Sequence, residues 1–167
     1  MNKTIRLAVG TAAISLAAPV LAQVHVEAEA CLIDETSPLV HSAFESNLDG
    51  APPASEAASR ASNQVLLACE RKHGWTREQT INAAAYATFL LRFQRVEAEA
   101  RENGMIRSRM DKLKRGASLL EAGDDYQFDI WLSRAGYPSF QHLTETRDFA
   151  YFEAWMQLLA ARNRIAS

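Results

Sequence analysis

From residue 54 onward, apolar side chains return every third or fourth position, the period of one helix face. Ala58, Ala61, Val65, Ala68 and Cys69 mark the first such face and predict a helix over 54–72, entered from Pro53, where a missing N–H costs little. Ile81, Ala85, Phe89, Phe93, Val96 and Ala100 mark a second over 77–103, about 27 residues and roughly 40 Å long. Its first half, with Ala83, Ala84, Tyr86, Leu90 and Leu91, is apolar over most of its circumference, which demands burial against several neighbours. Its second half pairs Arg95 with Glu99 and Glu97 with Arg101 at i, i+4 spacing and is expected to project into solvent.

Ile106, Met110, Leu113, Ala117 and Leu120 predict a helix over 105–121 in spite of Gly116. Only Gly104 separates it from the preceding helix, so the two are expected to form an antiparallel hairpin. Phe128, Trp131, Leu132 and Ala135 then fall on one face of a helix with Asp124 as N-cap and Gln127 at N3, stopped by Gly136-Tyr137-Pro138. The last element, 139–166 with a break near 144–146, contains the most apolar run after the leader, 149–159. That run has to be buried against the Tyr86 to Phe93 stretch or against a partner.

The junction from Cys69 to Thr76 joins the first two long helices. Arg71, Lys72 and His73 suit the negative end of one helix dipole, Gly74 fits a left-handed C′ position, and Thr76 with Gln79 reads as a capping box. Trp75 is expected to plug the corner. Upstream, 23–33 alternates Val24, Val26, Ala28, Ala30 and Leu32 with His25, Glu27, Glu29 and Cys31. Period two suits a strand, but no second strand candidate exists to pair with it, and its Ala and Glu content favours a short helix. Residues 34–38 break it, 38–48 form one or two turns, and Gly50, Pro52 and Pro53 punctuate a turn-rich link. The fold class expected is all-α, a compact bundle of about five or six helices.

Positions 1–22 set the compartment. Lys3 and Arg6 precede an apolar run over 7–22, and Val20-Leu21-Ala22 places small residues at −3 and −1, the pattern of a cleavable secretory signal peptide. The run carries Gly10 and Pro19 and, at about 16 residues, falls short of the ~20 a spanning helix needs. The expected product is periplasmic or secreted, without a stable membrane span. The mature chain, 23–167, reads as one domain: a short helix and turn-rich segment over 23–53 and a helical bundle over 54–167. Cys31 and Cys69, the only two cysteines, are predicted to pair in an oxidising compartment. Removing Lys3 and Arg6 leaves 16 basic against 20 acidic residues, a charge of −4, which gives no general attraction to nucleic acid.

Candidate chemistry is sparse. The chain lacks Cys-x-x-Cys, His-Glu-x-x-His, a Gly-centred calcium loop and Gly-x-Ser-x-Gly, and no cofactor is expected. Gln23-Val24-His25 at a new amino terminus offers four nitrogens in a plane, a geometry for Cu(II) or Ni(II), unless Gln23 cyclises or cleavage shifts. Arg107, Arg109, Lys112, Lys114 and Arg115 against Asp111 make one helix locally basic, either a contact for an anionic surface or a solvated face. His73 beside Trp75 is either an acid–base group or a helix-end cap, and Asp34-Glu35 with Asp124-Asp125 have nothing to bring them together. Tyr86, Phe89 and Phe93 with the C-terminal aromatics could line a pocket, though such stripes more often form core. The leading functional expectation is a non-catalytic binding or interaction module of the cell envelope, for an envelope protein or a small ligand. The alternatives are an envelope enzyme using His73 or His142 with carboxylates, and an amino-terminal metal binder.

Overall fold

The computed structural model describes residues 26–34, 36–48 and 51–165. The leader over 1–22 and the Gln23-Val24-His25 start lie outside them. Among the described residues the chain is all-helical, without strands. Helical from Val26, it tightens into a π-helical turn over Ala30–Asp34. There follow α1 (Pro38–Glu45), α2 (Glu56–His73), α3 (Arg77–Glu102), α4 (Arg107–Glu121), α5 (Asp125–Ala135), α6 (Phe140–Thr144) and α7 (Asp148–Ile165). The 139–166 element is thus two helices, and short α1 and α6 raise the helix number above the five or six expected.

Local chemistry sets most boundaries. The Ser55 hydroxyl accepts the Ala58 N–H at 3.1 Å, so α2 starts at Glu56 and Pro53 stays outside the helix instead of entering its first turn. Gly74, at φ +67°, ends α2 in the left-handed region, with the Trp75 N–H returning to the Glu70 carbonyl at 3.1 Å. Both halves of the Thr76–Gln79 capping box are formed, at 3.2 and 2.8 Å. Asp124 accepts the Gln127 N–H at 3.2 Å and opens α5.

The N-terminal segment is fastened to this α2–α3 corner. Cys31 and Cys69 form a disulfide with Cα atoms 6.0 Å apart. The indole N–H of Trp75 donates to Glu27 Oε2 at 3.2 Å, and the Tyr86 hydroxyl donates to Glu29 Oε2 at 3.4 Å. Trp75 is buried, as a corner plug must be.

Helix α3 is the spine. Its N-terminal flank is covered by α1, the π-helical turn and α2, and its other side packs on α7 in the most extensive helix–helix contact of the fold. Phe93 meets Tyr151 and Trp155 with ring centroids 5.5 and 5.0 Å apart, so the apolar C-terminal run does bury itself on the Tyr86 to Phe93 stretch. The expected α3–α4 hairpin is not a closely packed one. Helix α7 packs extensively on both α3 and α4, whose backbones approach each other little and which are bridged by the Lys114 side chain on Glu97. The cause is the composition of α7, whose Tyr151, Phe152, Ala154, Leu158 and Ala161 are all buried and require cover on more than one side.

The second half of α3 is exposed over most of its length, as expected, but keeps one side on the bundle. Ala100 is buried, and Glu97 accepts from Lys114 at 3.2 Å and from the Tyr151 hydroxyl at 3.0 Å. Glu97 also keeps Arg101 at 3.2 Å, but Arg95 pairs with Glu45 of α1 instead of Glu99. The Lys114 ammonium lies over the rings of Trp155, Phe93 and Tyr151, 4.7, 5.0 and 6.0 Å from their centroids.

Gly116 is explained by its neighbour. A Cβ there would sit 2.4 Å from the Trp131 indole, whose N–H is fixed to the Lys112 carbonyl at 3.0 Å. Replacing Gly116 with alanine gains ~1 kcal/mol of helix propensity. Overpacking a fixed indole costs ~1–3 kcal/mol, so Gly116→Ala is expected to lower stability in chemical denaturation while leaving far-ultraviolet circular dichroism unchanged. Cys69→Ser should lower the unfolding free energy under oxidising conditions by up to ~4 kcal/mol for a closed loop of this length, read as a lower unfolding midpoint. An unchanged midpoint would mean the staple does not constrain the unfolded chain.

Candidate functional site

The basic run of α4 does not act as one surface. Successive residues on a helix turn by about 100°, so its cations leave in different directions. Arg109 donates from Nε to both carboxylate oxygens of Asp148 at 3.0 Å, with a further close contact from Nη2. Lys114 is committed to Glu97 and the three rings, and Arg107 faces Asp111 at 4.0 Å in solvent. Lys112 and Arg115 have no acidic partner among the described residues.

These two line a groove of about 470 Å³ between α4 and α5. Arg134, in the last turn of α5 and likewise without an acidic partner among the described residues, lines it from the opposite wall. Leu119, Ile130, Trp131 and Ala135 supply apolar lining, with Ser108 and Gln127 among the polar residues. Asp111 is its one acid, beside three cations. The volume lies within the range of small-molecule sites, ~300–1,000 Å³, as do those of three other grooves of about 480–520 Å³, so it is the lining that distinguishes this one. Trp131 is 7% exposed and is held from two sides, by its bond to Lys112 and by the α4 backbone at Gly116.

The polar groups with displaced pKa values lie elsewhere and have partners. Asp148 is buried at the start of α7. Burial alone would raise its pKa, but hydrogen bonds from Arg109 and Tyr137 outweigh that and hold it below the ordinary 3.8. Burial opposes ionisation of Glu97 in the same way, and bonds from Lys114 and Tyr151 hold it below its ordinary 4.5. Tyr137 is pushed up to about 12 by burial and by its bond to Asp148, and Tyr86 to about 12 by burial and Glu29. Tyr151 is raised further by burial and Glu97.

The other sequence candidates stay apart. His73 stacks on Trp75 with centroids 5.2 Å apart, and its Nδ1 lies 3.4 Å from Glu27 Oε2, while Nε2 is buried without a hydrogen-bond partner. It is therefore packed against the N-terminal segment and is not simply an exposed helix-end cap. His142 is exposed on α6. His41 bonds Thr36 at 2.9 Å and the Ile33 carbonyl at 3.1 Å. Asp124 is an N-cap, Asp34 is exposed, and Glu35 lies outside the described residues. Among the described residues no three His, Cys, Asp or Glu side chains converge as metal ligands, and no helix is long and apolar enough to cross a membrane. The aromatic stripes form core: Phe128 stacks on Trp131 at 5.5 Å, and Phe152 meets both, at 6.0 Å from Phe128 and 5.9 Å from Trp131.

The sequence reading missed Arg134 and Trp131 as site residues. The available signal was Gly116, a glycine inside a helical stripe, which marks a close approach by a neighbouring helix. Compared with known proteins, the chain has no significant match to a family model, a curated protein or a solved structure.

The displaced groups fix a pH window. Asp148 and Glu97 have folded pKa values below their unfolded ones, so they stabilise the fold above about pH 4 and that contribution is lost as pH falls through the folded values. Tyr86 and Tyr137 are raised, so their contribution is present below about pH 10 and lost as pH climbs toward 12. Melting temperatures measured from pH 2 to 11 should fall at both ends. Asp148→Asn should lower the neutral plateau and flatten the acid limb; an acid limb identical to wild type would remove Asp148 from this account.

Proposed function

We propose that this chain is a small exported binding protein of the cell envelope, without catalytic activity, and that the α4–α5 groove is its binding surface. The observation that carries this reading is the state of the groove's cations. Three of them border an apolar, preformed surface and lack acidic partners among the described residues, while the buried Asp148 and the half-buried Glu97 are engaged by structural bonds. A perturbed acid or base facing a cleft is the mark of general acid–base chemistry. Asp148 does line a second groove, of about 480 Å³, but its carboxylate is held in its charged form by Arg109, as Glu97 is by Lys114, and both cations join helices. The Cys31–Cys69 bridge and the apolar leader pattern support an exported location.

One observation favours the enzyme reading: the His73–Glu27 pair resembles an oriented base, with Nε2 left unpaired. Its setting, stacked on Trp75 beneath the N-terminal segment, supports a packing role instead.

Protein purified natively from the periplasm of a Gram-negative host expressing the full chain is expected to carry a small molecule that denaturation releases chemically unchanged. Mass spectrometry of the released fraction checks this. Conversion of that molecule on incubation with fresh protein, abolished by His73→Gln, would replace the binding reading with the enzyme.

A further inference from the structure

We infer that the α4–α5 groove takes an anionic amphiphile: a small molecule with one compact acidic head, phosphate or carboxylate, on an aliphatic or aromatic body. This rests on the proposed binding role and names the ligand class for the same groove.

The head is specified by charge. Lys112, Arg115 and Arg134 bring three positive charges and Asp111 one negative, so the groove carries about two net positive charges, 3 − 1, on a chain whose own net charge is −2. A positive island on an acidic protein is not explained by overall composition. It attracts a small anion locally without drawing a polyanion to the whole surface. Two of the three cations are arginines, whose planar fork matches phosphate and carboxylate oxygens two at a time. They come from both walls, Arg115 from α4 and Arg134 from α5, so one head bonded to both would tie the two helices together.

The body is specified by the lining. Leu119, Ile130 and Trp131 offer apolar surface, and the groove's volume of about 470 Å³ admits one small molecule. A free inorganic ion would gain nothing from that apolar surface, and a neutral oil would gain nothing from the three cations, which water solvates. A ligand with both parts gains from both. Trp131 also needs no rearrangement to receive it, being fixed at its N–H by the Lys112 carbonyl at 3.0 Å and along its ring by Gly116.

Two sources present this chemistry: a soluble acidic amphiphile, and the headgroup region of an anionic lipid bilayer. The groove's one-molecule volume and its rigid wall suit the soluble form, and the test separates them. Tryptophan fluorescence and calorimetry would follow titration of the oxidised mature protein with octyl phosphate below its micellar concentration, octanoate, octyl glucoside and inorganic phosphate. Sedimentation with phosphatidylglycerol vesicles forms the second arm. Octyl phosphate or octanoate is expected to bind at one per chain, with inorganic phosphate and octyl glucoside each at least about tenfold weaker, as loss of either part of a two-part contact implies. The combined variant Lys112→Gln, Arg115→Gln, Arg134→Gln alters only exposed side chains. It should melt as wild type and bind octyl phosphate about tenfold or more weakly.

Equal binding of octyl glucoside, or unchanged binding by the triple variant, would overturn the assignment of an acidic head. Equal binding of inorganic phosphate would overturn the apolar part. Vesicle binding lost in the triple variant, without binding of the soluble amphiphile, would transfer the site to a membrane surface and overturn the soluble ligand. If the natively purified protein instead releases a neutral or cationic small molecule that Ile130→Arg excludes, the ligand class fails while the binding role stands.

Discussion

One ammonium group stands where three helices meet. Lys114 leaves α4, passes over the rings of Tyr151 and Trp155 on α7 and of Phe93 on α3, and ends on Glu97 of α3. Placing a lysine among three rings is favourable only because the stem packs on apolar surface while the charge finds both ring faces and a carboxylate. The arrangement fixes α4 over α7 and ties it by the same side chain to α3. Around α7, Tyr151 meets Phe93 and Glu97 of α3 while Phe152 meets Phe128 and Trp131 of α5, so its apolar residues need cover on more than one side. The depressed pKa of Glu97 and the raised pKa of Tyr151 express one fact, that the charged carboxylate is the form this junction requires.

The position of α4 then dictates the groove. Met110, Leu113, Lys114 and Ala117 occupy the side of α4 turned to the bundle, while Lys112, Arg115 and Leu119 line the groove it forms with α5. Residues at i, i+3 and i+7 share a side, which is why Lys112 recurs with Arg115 and Leu119. The same register puts Gly116 against Trp131. Arg109 lies elsewhere again, and its bond to Asp148, shared with the Tyr137 hydroxyl, ties the start of α4 to the segment after α5 and to the start of α7. Helix α4 begins without a side-chain cap or an acid in its first turn, so Asp148 supplies from another helix the negative charge that its own sequence lacks.

Much of this was legible in the order of residues because it is local. The capping box at Thr76, the left-handed Gly74, the Asp124 cap and the two-cysteine pairing each depend on short spacing or on a compartment. The loose packing of α3 on α4 was not legible, because a short link constrains where a helix starts and says nothing of what packs on both helices, here α7. Arg95 went to Glu45 and not to Glu99 because an inter-helix partner outcompetes a solvated i, i+4 pair worth only ~0.2–0.5 kcal/mol. The basic run 107–115 could be read as charge but not as geometry. Which of its cations are neutralised depends on Asp148 and Glu97, and neither stands near it in sequence.

The same division explains what kind of ligand the proposed site could hold. Its apolar wall is stiff, since the Trp131 ring has one edge hydrogen-bonded and lies close against the α4 backbone at Gly116. Its polar rim is not, because Lys112, Arg115 and Arg134 are exposed long side chains. Ordering each of them costs up to ~2 kcal/mol of rotamer entropy, against ~1.5–3 kcal/mol for a hydrogen bond to a charged group. An extended ligand that engaged each cation through a separate weak contact would gain little after those costs. A compact head bonded by more than one cation at once recovers the ordering cost over several bonds, and an apolar body on the stiff wall adds burial without ordering any further protein side chain. The asymmetry between a rigid wall and a mobile charged rim therefore selects for small, two-part ligands over long uniform ones.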